Sequence, residues 1–145
     1  MAGQSEELRI YAKMFCDAFP AGDYPPDFIL KVEQPTLLEI IQTVSEFYKI
    51  PLRTVRSRAC RKMAIHFDVS WVRHVAAYLC RMLTTHSHRQ IMNALGGFDH
   101  TISRYAERKI AQCVIHDERV RDEVEILRLK IAEVVLKRVG SIECH

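Results

Sequence analysis

The chain has 145 residues, of which 48% are hydrophobic and 27% are charged. These values are typical of a globular domain with enough apolar residues for a core, and they argue against a disordered chain. We expect no membrane span, because no apolar run approaches the roughly 18 residues that one requires, and no signal peptide. The five cysteines are scattered and lie mostly on apolar stripes, which indicates reduced thiols in a cytoplasmic protein.

The net charge of +3 conceals a strong asymmetry along the chain. Residues 1–48 hold three basic and eight acidic side chains, so they carry −5. Residues 49–90 hold nine basic side chains against Asp68 alone, so they carry +8. A basic block of this kind indicates a polyanionic partner, with double-stranded DNA favoured over a merely solvated surface.

The first half of the chain predicts three helices. Residues 5–19 read as an amphipathic helix that covers the core or contacts a partner, and the proline-rich residues 20–35 read as a connection. Thr36 and Glu39 form a capping-box pattern that opens a helix to Tyr48. Pro51 suits the first turn of the next helix. That helix carries the basic residues Arg53, Arg56, Arg58, Arg61 and Lys62.

A fourth predicted helix begins at Asp68 or Ser70. The stretch that follows it predicts a helix, a tight turn and a longer helix. Ser87 is a suitable N-cap for the first of these two. Gly96 and Gly97 end it, because glycine readily adopts positive φ. Asp99 then caps the longer helix. Its apolar stripe is Ile102, Ala106, Ile110 and Cys113, and its polar, basic face is His100, Thr101, Arg104 and Arg108.

The last predicted helix runs over 117–138 and ends at Gly140. Its apolar residues alternate four and three apart, which is the spacing of a helix–helix seam; they are Val120, Val124, Leu127, Ile131 and Val134. Two interpretations stay open. The stripe packs back on the domain, or it forms a homodimer through residues 117–138.

Two motifs resemble a known family. They are Leu83-Thr84 and, after it, Leu95-Gly-Gly-Phe-Asp-His-Thr-Ile-Ser103. Both resemble motifs of the C-terminal DNA-binding domain of the bacterial replication initiator DnaA. The resemblance covers about residues 36–116 and implies an all-α helix-turn-helix bundle of the Trp-repressor-like type. Residues 1–35 would add an N-terminal helix and connection, and residues 117–145 a long C-terminal helix and tail.

The resemblance also implies roles for individual residues. Base edges would be read by Asp99, His100 and Thr101, with His88 and Arg89 in the place where the family touches a thymine methyl group. An arginine, Arg56 or Arg58, would enter the minor groove. Phosphates would be held by Arg73, His74, Arg81, Arg104 and Arg108. Three residues depart from the family pattern: Met92, Phe98, where the family has arginine, and Ile102.

Several kinds of chemistry are not expected. The chain has no Gly-x-x-x-x-Gly-Lys-Ser/Thr loop, so no nucleotide or other cofactor is predicted, and no nucleophile signature indicates an enzyme. His86, His88 and His100 lack the spacing of a metal site. The predicted function is therefore sequence-specific binding to initiator-box-like DNA by a nucleoid-associated regulator of transcription or modulator of replication. The alternative is a protein-interaction module that keeps the helix-turn-helix fold without reading DNA.

Overall fold

A computed structural model describes Leu30 and residues 33–57 and 69–143. In these ranges the chain is all-α, as predicted, and no helix combines the length and apolarity needed to cross a membrane. The predicted helix over 5–19 and the arginine Arg58 lie outside the described residues. The described helices are α1 (Leu37–Phe47), α2 (Leu52–Val55), α3 (Val69–Leu83), α4 (His88–Ala94), α5 (His100–His116) and α6 (Glu118–Glu143).

The start of α1 confirms the predicted capping box. The Thr36 hydroxyl accepts a hydrogen bond from the Glu39 amide at 3.1 Å, and the Glu39 carboxylate accepts one from the Thr36 amide at 2.9 Å. These bonds satisfy two amides that a helix N-terminus leaves without intrahelical partners. The helix ends with Tyr48 as its C-cap. Lys49 follows with a φ of 57°, which turns the chain sharply toward α2.

The helix α2 is shorter than the sequence predicts. It covers only Leu52–Val55, with Pro51 as N-cap and Arg56 as C-cap. The prediction of one helix carrying all five basic residues is therefore wrong for Arg56, which lies at the helix end. Because α2 makes only one turn, its position depends on packing against the neighbouring helices rather than on helix propensity.

The core is built around α3, whose buried face packs against α1 and α5. Val72, Val75, Ala76 and Leu79 of α3 are almost fully buried. Trp71 lies at the edge of the core, where its indole N–H donates to the Tyr48 hydroxyl at 3.3 Å. Trp71 therefore has a packing role at the edge of the core.

Two cysteines fall within the described ranges, and both are free thiols. Cys80 is fully buried in α3, and burial raises the pKa of its thiol to about 12. The thiol is therefore protonated and unreactive at neutral pH. Cys113 is partly exposed on α5, so the predicted inward position holds only in part for this residue.

The apolar stripe of α6 packs on the domain itself, which was one of the two interpretations that the sequence left open. Leu127, Ile131 and Val135 are fully buried within the same core as α1 and α5. Near the other end of the helix, Arg138 donates to Glu39 at 3.0 Å and to Glu33 at 3.1 Å. These contacts bind the end of α6 to the beginning of α1.

The end of α6 departs from the sequence prediction. The helix continues through Gly140 to Glu143 instead of ending at the glycine. Gly140 has helical backbone, and a Cβ placed on it would meet no atom within 4 Å. A glycine inside a helix costs only about 1 kcal/mol relative to alanine, so it does not end a helix that tertiary packing supports.

Candidate nucleic-acid interface

The turn between α4 and α5 is closed by backbone hydrogen bonds that only a left-handed C-cap allows. The Gly97 amide donates to the Met92 carbonyl at 2.8 Å, and the Gly96 amide donates to the Asn93 carbonyl at 3.2 Å. Gly96 and Gly97 have φ values of 118° and 85°. This is the Schellman arrangement, and it confirms the prediction that the two glycines end the first helix.

A second requirement for glycine at position 96 comes from the end of α2. A Cβ atom on Gly96 would lie 2.1 Å from the carbonyl oxygen of Arg56, whereas a Cβ on Gly97 would meet nothing within 4 Å. The Arg56 side chain also crosses to the turn, where its Nε donates to the Ala94 carbonyl at 2.9 Å. The α2 end and the helix-turn-helix turn are thus held in direct contact.

Arg56, a candidate for the minor groove, is therefore already engaged in this contact. Its side chain is exposed, but its Nε holds the C-terminal carbonyl of α4. In the observed conformation Arg56 positions the turn. The other candidate, Arg58, lies outside the described residues.

Three of the five predicted base-reading residues lie together at the exposed N-terminus of α5. Asp99 is the N-cap, and its Oδ1 accepts hydrogen bonds from the amide and the hydroxyl of Thr101, both at 2.9 Å. His100 Nδ1 lies 3.5 Å from the same oxygen. The bonds from Thr101 hold the pKa of the Asp99 carboxyl below its usual value, so it is ionised at neutral pH. The cap thus presents an acceptor, an imidazole and a threonine side chain in a fixed relation.

His88, a fourth predicted base reader, does not face outward with these three. Its side chain is only 16% exposed, and it lies between α4 and α5. Nδ1 shares a 2.8 Å hydrogen bond with the buried Ser103 hydroxyl, and Nε2 lies 3.6 Å from Glu107. Burial and the nearby charge of Arg81 lower the pKa of His88 from 6.5. His88 therefore holds the two helices together as a largely neutral imidazole.

Four of the predicted DNA contacts are arginines with outward or partly outward side chains. Arg89 on α4 and both Arg104 and Arg108 on α5 are exposed. The Arg81 side chain is 38% exposed, with Nη1 donating to the His86 carbonyl at 3.0 Å and Nε 3.9 Å from Glu107. These cations surround the N-terminal half of α5 and give this face a positive charge.

Arg73, predicted to hold a phosphate, instead binds the backbone at the end of α2. Its guanidinium donates to the carbonyls of Val55 at 2.7 Å, Thr54 at 3.2 Å and Ser57. The same group stacks over the Phe98 ring, 4.7 Å from its centre. These bonds hold the guanidinium against the end of α2. Arg73 therefore acts on the surface through the position of α2 and the turn.

Phe98 explains why the family arginine can be absent at this position. Its ring is partly buried against the core and forms the platform for Arg73. The structure places Phe98 under the turn. The arginine–aromatic pair is distant in sequence, so no local pattern indicates it.

His74 is also removed from the phosphate-binding set. Its side chain is only 8% exposed, and its ring meets the Tyr105 ring edge-on with centres 5.5 Å apart. The burial of this side chain between α3 and α5 argues against the predicted phosphate contact. Periodicity gave no signal of this burial, because neighbouring residues on a helix point about 100° apart and His74 lies outside the Val72–Val75–Leu79 stripe.

The histidines near the turn contact other side chains of the protein. His86 Nδ1 lies 3.4 Å from the Gln90 side chain, and His88 has the two contacts given above. Over residues 33–57 and 69–140, no group of three histidine, cysteine or acidic side chains is placed to hold a metal ion.

A short α4, a glycine-closed turn and a capped, basic α5 packed across α3 define a helix-turn-helix domain. Residues 38–110, which are 73 of the 145 residues, match the family model for the bacterial DnaA protein helix-turn-helix. The chain belongs to this family, and membership implies binding to DNA.

Curated relatives give the same result. The chain is 41% identical over 92 residues to the chromosomal replication initiator protein DnaA of Chloroflexus aurantiacus, which covers 63% of this chain and 18% of the relative. It is 36% identical over 92 residues to that of Roseiflexus castenholzii, with the same coverage of both chains. For Corynebacterium aurimucosum the identity is 32% over 98 residues, covering 68% and 17%. The chain thus spans less than a fifth of the length of these relatives.

Proposed function

We propose that this chain binds double-stranded DNA in a sequence-dependent manner, at sites that resemble the initiator's box. Such binding would regulate transcription or modulate replication initiation on the nucleoid. One observation carries the proposal. Asp99, His100 and Thr101 stand exposed at the capped N-terminus of α5, behind a turn that Gly96 holds rigidly. Residues at the N-terminus of a recognition helix are those that reach base edges in the major groove.

The chemistry of these three side chains suits base reading. A carboxylate at Asp99 accepts from the amino group of cytosine, and His100 donates to an acceptor on guanine or thymine. The methyl group of Thr101 can meet the methyl group of thymine. Asp99 also holds Thr101 through two hydrogen bonds, which keeps the two side chains in one arrangement.

Affinity would come mainly from the exposed arginines. Arg81, Arg104 and Arg108 remain the candidates for phosphate contacts, since the side chains of Arg73 and His74 are committed to internal packing. On α4, the exposed Arg89 is the remaining candidate for a base contact, because His88 is turned toward Ser103. Phosphate contacts position the protein and base contacts specify the sequence.

Selection of bound sequences from random duplexes, followed by titration of the best site, tests the proposal. We expect a motif related to the initiator's box and an affinity that falls steeply with salt. Asp99→Ala should relax the preference at one base pair and cost roughly 1–3 kcal/mol on the best site. Asp122→Ala removes an exposed carboxylate from α6 and serves as the control. Recovery of no preferred sequence by the wild type would contradict the proposal.

A homodimer through residues 117–138 is a second candidate function. The inner stripe of α6 is used by the domain itself, so a partner would have to contact the outer face. Ile126 and Leu129 are each 43% exposed on that helix, which favours such a contact. Sedimentation that finds only monomer at high concentration removes this candidate and leaves DNA binding unaffected.

A further inference from the structure

The recognition helix α5 carries one acidic residue, Glu107, among its 17 residues. The surrounding exposed positions are basic: Arg104, Arg108 and Lys109. The Glu107 side chain is 39% exposed and is directed toward the junction of α3 and α4. A carboxylate in this place opposes the charge that the rest of the helix presents to a polyanion.

Two groups from different helices meet this carboxylate. Arg81 Nε of α3 lies 3.9 Å from Glu107 Oε2, and His88 Nε2 of α4 lies 3.6 Å from the same oxygen. His88 is largely neutral near neutral pH, because burial and Arg81 lower its pKa. The permanent charge that faces Glu107 is therefore that of Arg81.

Arg81 is also the phosphate-binding candidate with the most constrained position. Its Nη1 donates to the His86 carbonyl at 3.0 Å, which fixes the guanidinium beside the loop that leads into α4. A carboxylate and a phosphate are the same kind of partner for a guanidinium, and each satisfies it through charged oxygens. A partly exposed ion pair is weak, so a phosphate can replace the carboxylate without disrupting the fold.

We infer that Glu107 competes with a DNA phosphate for Arg81 and thereby lowers the affinity of the domain for duplex DNA. The inference rests on the proposed function. A phosphate that approaches Arg81 through Nε takes the place of the Glu107 carboxylate and lies close to its negative charge. Glu107 sets affinity below the value that the arginines alone would give, without contacting a base.

The test is a salt series of DNA titrations with Glu107→Gln, which removes the charge and nearly keeps the shape. We expect the variant to bind roughly three- to tenfold more tightly at low salt, with the gain shrinking as salt rises. Glu133→Gln removes an equal charge from an exposed position of α6 and should change affinity less than about twofold. Unchanged or weaker binding by Glu107→Gln would overturn the inference.

Arg81→Met, alone and combined with Glu107→Gln, shows whether the effect runs through Arg81. If the two groups are coupled, the gain from Glu107→Gln disappears in the Arg81→Met background. A gain that persists there means that the carboxylate repels DNA directly, which overturns the competition. A wild type that binds no duplex would instead remove the proposed function, and the inference would fall with it. Thermal unfolding of each variant verifies that the fold is intact.

Discussion

At the scale of single residues, the candidate interface depends on positions that contact other parts of the domain. Gly96 makes room for the Arg56 carbonyl, and Arg73 holds the end of α2 while resting on Phe98. His88 joins α4 to α5 through Ser103. Each of these residues fixes the orientation of the exposed triplet at Asp99, so substitutions here should change stability before they change base preference.

The two glycines of the turn provide a matched pair of substitutions. Gly96→Ala forces a Cβ against backbone at a φ of 118°, so we expect a destabilisation of about 2–5 kcal/mol. Gly97→Ala meets no atom, and its cost should be limited to about 1 kcal/mol for the left-handed backbone. Urea unfolding monitored by circular dichroism measures both. Equal losses for the two variants would show that the contact with Arg56 is not formed.

Arg73 and Arg108 provide a second contrast. Arg73→Met removes the donor to the Val55 carbonyl and the contact with Phe98, so we expect a loss of about 1–3 kcal/mol in the free energy of unfolding. The salt dependence of DNA binding should stay unchanged for this variant. Arg108→Met should leave stability nearly unaltered and reduce the salt slope by about one.

The same two measurements decide the role of Arg73. A reduced salt slope with full stability in Arg73→Met would return this residue to the phosphate contacts, as the family resemblance first implied. Such a result would require the guanidinium to leave the carbonyls of α2 when DNA binds.

At the scale of elements, the sequence predicts well where a helix begins when a capping residue marks its first turn. Thr36 with Glu39, Ser87 with Gln90, and Asp99 each form the expected cap. Caps act within three residues, so they can be read from sequence. The failures are α2 and the end of α6, where packing by distant residues decides whether the helix continues.

The stripe of α6 distinguishes internal packing from dimer formation. Leu127→Ala empties a fully buried site, and we expect a loss of about 2–5 kcal/mol in unfolding free energy. Leu129→Ala, at a position that is 43% exposed, should cost less than about 0.5 kcal/mol. Chemical unfolding at two protein concentrations measures both. A wild-type stability that falls on dilution, with a Leu127→Ala effect that shrinks, would show that a second copy covers this residue instead.

At the scale of the whole molecule, α6 links the helix-turn-helix to the first helix. Tyr48 donates to Glu123 at 3.0 Å, and Arg138 binds Glu33 and Glu39. Arg121 donates to the carbonyls of Val114 and Ile115 at the end of α5, both at 3.0 Å. The C-terminal helix α6 therefore contacts both α1 and the end of α5. It lies beyond the residues that match the family model and stabilises the position of these two helices.

The sequence by itself determined the all-α class, the turn at Gly96 and Gly97, and the cap at Asp99. These features depend on residues close together in the chain, where capping, glycine conformation and helical periodicity act. Only the tertiary structure decided that Arg73, His74 and His88 face inward, and that the stripe of α6 closes the domain's own core. Those outcomes depend on partners up to tens of residues away, whose burial and hydrogen bonds arise only when the helices meet.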